Sequence, residues 1–143
     1  MEYMGAALDV WFLGFVPVGE LVIAVPAALA AGLDDVSAIF WTVFGNLTPL
    51  LIIHFGFEWL MRIDRVRGWL TKLVSDNAKA RFDKWGIYFI LLATPWTGVW
   101  AMGVTAKALR IEPRRFITAA CASIFLYALG MVILLRLGQA AIH

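Results

Sequence analysis

Glu20 is the residue of this chain best placed to do chemistry. It is the only charge between Val10 and Leu33, inside the stretch "VPVGELVIAVP", with Pro17 and Pro26 on either side. An ionisable group in so apolar a segment is costly and by default marks function. Desolvation is expected to raise its pKa, which suits a proton site. The alternative is an acid that caps the helical arm after it, whose free N–H groups would point at the carboxylate. The two roles are compatible.

Other polar residues sit at similar depth in later apolar runs. Asn46 and Thr48, beside Pro49, lie midway along the second run. They are expected either to line a polar cavity facing Glu20 or to hydrogen-bond between helices. His54 lies further along and could relay protons, with a structural histidine as the commoner alternative. Thr94, Trp96, Thr97 and Trp100 surround Pro95 and Gly98 in the third run. A break there frees backbone groups for a substrate, and two indoles can hold an apolar cation; packing against the first broken run is the alternative. Lys107, Arg110, Arg114 and Arg115 cluster after that run. They could receive a lipid phosphate or simply hold the loop on one side of a membrane.

No enzyme constellation accompanies them. The sequence has no Gly-rich phosphate loop, no paired histidines for a metal and no Ser–His–Asp set. The expectation is a non-enzyme without cofactor or metal, whose cationic surface faces lipid and not nucleic acid.

The elements that position these residues follow from hydropathy. Of 143 residues, 62% are hydrophobic and 15% charged, against about 45–50% and about 25% in soluble domains. Four runs, Val10–Leu33, Val36–Phe57, Trp85–Ala106 and Phe116–Leu135, hold one Asp, Glu, Lys or Arg between them, which is Glu20. Each can cross a hydrocarbon core of about 30 Å. The chain is therefore expected to be an integral membrane protein with one membrane domain over 1–143. The start, "MEYMGAALDV", lacks the basic region of a cleavable signal peptide. Cys121 stands alone in an apolar run, so neither a disulfide nor a cysteine metal cluster is expected.

The second and fourth runs read as spanning helices, the second kinked near Pro49. The first and third carry breakers near their middles: Pro17, Gly19 and Pro26, then Pro95, Gly98 and Gly103. A shift of 78 residues lays Leu13 on Leu91, Pro17 on Pro95, Ala28 on Ala106, and Leu33-Asp34 on Ile111-Glu112. That agreement of breaker, turn and helix start points to two related halves, 10–61 and 85–138. Between them, 62–84 carries seven basic and three acidic residues, a net charge of +4. Ile63, Val66, Leu70, Leu73 and Asn77 recur there at spacings of three and four, which predicts one amphipathic helix at the membrane face.

Charge distribution predicts how the broken runs lie. If each enters and returns on its own side, eleven of the twelve Lys and Arg share the cytoplasmic face, with both termini and Asp34 outside. If they cross as kinked helices, the basic residues split between faces. The first arrangement is preferred. It gives an all-α fold of two inverted-topology repeats. Each repeat is a re-entrant hairpin followed by a transmembrane helix, and the hairpin tips meet near the midplane. Small residues at Ala27 and Ala31, and at Ala119 and Ser123, predict close helix approach and a homodimer.

The words themselves resemble a family. "PVGELVIAVPAALAAGLD", "GNLTPLL" and "ATPWTGVWAMGVTAKALRI" are similar to motifs of the small multidrug export family over nearly the whole chain. More distantly, both halves resemble the DedA/VTT superfamily, with Arg114-Arg115-Phe116 matching its basic pair. That group is linked to polyprenyl-phosphate carriers and lipid scrambling. Two arginines of these patterns are missing: Val22 follows Glu-Leu here, and the second broken run has none. Motif and residues together predict a small membrane transporter with Glu20 as a proton-coupling group. Its cargo would be an amphipathic ion or a lipid-linked phosphate. The alternatives are a lipid scramblase without ion coupling and a non-transporting membrane scaffold.

Overall fold

A computed structural model describes residues 2–17, 20–73 and 76–142. Among these the chain is all-helical, in the order α1 (Glu2–Phe15), α2 (Glu20–Ala30), α3 (Asp35–Leu60), α4 (Asp64–Leu73), α5 (Asp76–Trp85), α6 (Ile87–Thr97), α7 (Val99–Ala108) and α8 (Pro113–Ile142). Two helices are long and apolar enough to cross a membrane, Asp35–Leu60 and Pro113–Ala141. A core helix of a soluble protein would be mostly buried. Here only 39% and 33% of the apolar windows are buried, and Phe55, at 82% exposed, and Leu134 point outward from them. Lipid is the solvent in which such faces are stable.

The four shorter apolar helices come as two pairs, α1 with α2 and α6 with α7. At about 1.5 Å per residue, α2, α6 and α7 are each about half as long as the ~30 Å core. In the first pair α1 ends at Phe15, residues 16 and 17 are non-helical and α2 begins at Glu20, while 18 and 19 lie outside the described residues. The second is interrupted at one residue, Gly98, with φ 86° and ψ 143°.

Pro26 and Pro95 behave differently from their sequence reading as breakers, whereas Pro49 lies inside a helix as expected. Pro26, Pro49 and Pro95 all lie inside helices, and only Pro17 sits at a break. An interior proline leaves the carbonyl four residues back without its helical donor. For Pro95 that carbonyl belongs to Leu91, and the Ser123 hydroxyl of α8 donates to it at 2.5 Å. An alternative donor lets the helix run on to Gly98. The expected single amphipathic helix over 62–84 is two helices. Residues 74–75 between them lie outside the described set, and Asp76 stands in the first turn of α5, where a carboxylate favours a helix start.

Two turns repeat 78 residues apart. After α2, the N–H of Gly32 bonds to the Leu29 carbonyl at 3.1 Å and that of Leu33 to Ala28 at 3.1 Å. After α7, Arg110 bonds to Lys107 at 3.1 Å and Ile111 to Ala106 at 3.0 Å. Both are Schellman stops with a left-handed residue at the same place, Gly32 at φ 81° and Arg110 at φ 55°. The next helix then starts with Ala38 bonded to the Asp34 carbonyl, or Phe116 to that of Glu112.

The chain forms two compact units, 1–46 with 124–143, and 47–123. In the first, α1 packs on α2 around Val10, Ala24, Ala28, Leu33 and Ala38. Gly45 of α3 lies so close to α1 that a Cβ would run into the Trp11 carbonyl oxygen. In the second, α4 packs on α7 around Ile53, Leu70 and Val104. The apolar stripe of α4 therefore rests on protein: Leu70 is fully buried, and Trp69 meets Trp100 edge-on at 5.5 Å.

Candidate functional site

Glu20 is the first residue of α2, and the ten residues after it in that helix are all apolar. Its side chain lies outside the described residues. The helix opens at the carboxylate and not at Pro26, so Glu20 occupies the end whose first N–H groups lack intrahelical partners.

In the same unit, Asn46 is 2% exposed. Its Nδ2 donates to the Thr42 carbonyl one turn earlier at 2.9 Å. Gly14 of α1 faces this pair, since a Cβ there would lie 2.9 Å from Asn46 Nδ2 and 3.1 Å from the Thr42 oxygen. The Thr42 hydroxyl is fully buried and has no partner among the described residues. The Asn46 amide and the Thr42 carbonyl, one turn apart, thus face the first helix of the pair. Thr42 was missed from sequence, although its spacing of four from Asn46 places it on the same helix face.

At the end of this unit a network joins α1, α3 and α8. Asp34 caps α3, accepting from the Ser37 N–H at 3.0 Å and the Ser37 hydroxyl at 2.6 Å. These bonds, the hydroxyl first, hold the Asp34 carboxyl below its ordinary value. The Tyr3 hydroxyl lies 3.0 Å from Ser37 Oγ and accepts from Trp41 Nε1 at 3.2 Å. Arg136 reaches Asp35 at 2.6 Å. The one basic residue that the topology argument left outside the cytoplasmic loops therefore has an acidic partner.

In the second unit, Thr48 is half-buried on α3. Thr94 is buried and donates to the Ile90 carbonyl at 2.5 Å, while Thr97 is exposed and donates to Ala93 at 2.8 Å. Both hydroxyls are thus bonded back into α6. Trp96, 79% exposed, and Trp100, against Trp69, flank the Gly98 break with different surroundings. The basic residues are likewise divided. Lys107 is half-buried, and its Nζ donates to the His54 carbonyl at 3.3 Å. Beside this bond is a small cavity of about 20 Å³, bordered by Leu50, Gly103, Pro113 and Phe116. That is room for about one water. The His54 ring meets Phe55 edge-on at 4.7 Å. Arg115 pairs with Glu112 at 2.9 Å. Arg110 and Arg114 are exposed. Among the described residues no group of three His, Cys, Asp or Glu could hold a metal ion.

The family model described as "Putative small multi-drug export protein" matches residues 20–129. The chain belongs to this family. The match begins at Glu20 and takes in every candidate residue from there to Arg115. Membership and the two exposed apolar helices together make this a membrane protein of an export family. No curated protein and no solved structure matches the chain. The likeness to the DedA/VTT group rests on the sequence motifs alone.

Proposed function

We propose that this chain is a proton-coupled transporter of an amphipathic ion or a lipid-linked phosphate, with Glu20 as the group that takes up and releases the proton. One observation carries the reading: the lone carboxylate of an apolar segment is the first residue of a helix whose other residues are all apolar, after the chain has left the preceding helix at 16–17. A break at membrane depth needs its backbone groups satisfied by protein or by a wet cavity. A carboxylate there can exchange protons, whereas one in mid-helix would face lipid or sealed packing. The family's description as an export protein supports transport. Asn46, with the buried Thr42 hydroxyl, would supply polar contacts in the first half, and Thr94, Thr97 and Trp96 in the second. Arg110 and Arg114 would draw an anionic headgroup to the mouth of the second half. His54 would act as a relay.

The architecture proposed for this activity is two inverted-topology repeats, each a re-entrant hairpin and a spanning helix, with basic loops cytoplasmic and both termini outside. The two Schellman stops 78 residues apart support it, as do pair helices of about half-membrane length. Asp76→Cys and Glu112→Cys, each in a Cys121→Ala background, should label from the same face; opposite faces would end the re-entrant reading.

Reconstituted vesicles test the function. Glu20→Gln should keep the fold and abolish the pH dependence of transport, and Glu20→Asp should retain part of the activity. An unchanged pH profile in Glu20→Gln would reduce the carboxylate to a helix cap. Headgroup flipping without any gradient would instead identify a scramblase.

A further inference from the structure

From Trp96 toward the linker, the structure carries an open groove of about 460 Å³ along α5 and α6. Arg81, Trp85, Tyr88, Leu92 and Trp96 line it. Spacings of four set Arg81 with Trp85 on one face of α5, and Tyr88, Leu92 and Trp96 on one face of α6. The two faces line the same groove on either side of the junction at Gly86, whose φ of 56° and ψ of −133° suit glycine alone. Trp85, Tyr88, Leu92 and Trp96 are all exposed large side chains. The volume lies within the range of small-molecule sites, about 300–1,000 Å³.

We propose that this groove binds an anionic phospholipid, one acyl chain lying along Tyr88, Leu92 and Trp96 and the phosphate meeting Arg81. Three features of the groove select this occupant. Its ends differ in chemistry: Arg81 is exposed and has no ion pair among the described residues, while the far end is apolar and aromatic. Its length fits, because the α6 part from Tyr88 to Trp96 alone spans about 12 Å at the helical rise, approaching half of the ~30 Å core. Its charge excludes the opposite ligand. An apolar cation would find indoles for cation–π contact, but Arg81 would repel it, and Lys84 already lies over the Trp85 ring at 5.6 Å. The +4 segment from which the groove rises suits the anionic lipid of a cytoplasmic leaflet. The inference needs the membrane setting and is independent of Glu20 and of proton coupling.

Native mass spectrometry of the full chain in mild detergent tests it, with dioleoyl phosphatidylglycerol and dioleoyl phosphatidylcholine as competing probes. The wild type should retain phosphatidylglycerol several-fold better, roughly as one added cation would give. Arg81→Gln should cut that preference about fivefold, and the exposed Arg65→Gln should leave it unchanged. Trp96→Ala should weaken both lipids alike, because it removes acyl contact and not charge. A preference that survives Arg81→Gln would overturn the proposal. So would adducts indifferent to Trp96→Ala, or a dimer that Trp96→Ala dissociates, which would make a second copy the occupant.

Discussion

Ser123 and Leu91 are joined by a hydrogen bond that a proline makes necessary. The Ser123 hydroxyl donates at 2.5 Å to the Leu91 carbonyl, and Leu91 precedes Pro95 by the four residues over which a helix would normally close its own bond. The proline inside α6 is therefore supported from α8.

This pairing predicts a coupling. Ser123→Ala should lower the thermal midpoint in detergent, by an amount equivalent to about 1 kcal/mol. In a Pro95→Ala background the same change should cost much less, because an alanine at that position supplies the missing N–H. A double-mutant cycle measures the difference. Strictly additive effects would show that Leu91 does not depend on Ser123.

Gly45 predicts a packing defect. A methyl group there meets the Trp11 carbonyl oxygen, and backbone cannot step aside as a side-chain end can. Gly45→Ala should destabilise by roughly 1–3 kcal/mol. Gly103→Ala should cost less, since its nearest neighbours are the flexible ends of Ile53 and Leu50. Gly130, with nothing within 4 Å in mid-helix, should tolerate alanine or gain about 0.5–1 kcal/mol. Thermal unfolding of the three variants would give the order; a neutral Gly45→Ala would contradict the close approach.

How much of this was legible in the sequence depended on whether the signal was local. The two long apolar helices, the paired short helices and both turns follow from apolar run length and from Leu33-Asp34 falling on Ile111-Glu112. The prolines misled because the cost of an interior proline depends on a donor elsewhere. Nothing near Pro95 announces Ser123, 28 residues later, although the 78-residue shift lays Ser123 on Gly45, where α3 comes close to α1. The linker's periodicity correctly marked Leu70 as apolar-facing. It could not reveal that this face is covered by α7, because amphipathicity gives a face and not its partner. Among the candidate residues, burial of Asn46 and Thr94 was foreseeable. The bond from Lys107 to the His54 carbonyl, across 53 positions, was not.

The repeated turn predicts opposite effects at equivalent positions. Arg110 holds a left-handed conformation, at φ 55°, that costs a residue with a Cβ about 1–2 kcal/mol. Arg110→Gly should therefore stabilise the fold by about 1 kcal/mol. Gly32→Ala, at φ 81°, should destabilise it by a similar amount even though its Cβ meets nothing. Unfolding midpoints of the two variants would test this, and a stability loss in Arg110→Gly would mean that the side chain contributes more than its strain costs.

The last prediction concerns the cap of α3. Asp34 accepts from the Ser37 hydroxyl and N–H, and these bonds lower its pKa from the ordinary 3.8. A carboxyl whose folded pKa is depressed contributes stability that is fully present above its unfolded pKa. That contribution falls as pH drops through the folded value, because the unfolded state then takes up the proton first. The stability difference between wild type and Asp34→Ala should thus be level from neutral pH down to about pH 5, then shrink below about pH 4. Asp34→Asn can still accept from the helix N–H but cannot titrate at this position. Its stability difference from Asp34→Ala should stay flat where that of the wild type declines. Thermal unfolding in detergent across that range would show it. A wild-type advantage over Asp34→Ala that persisted undiminished at pH 3 would mean that the charge of Asp34 is not what secures the start of the helix.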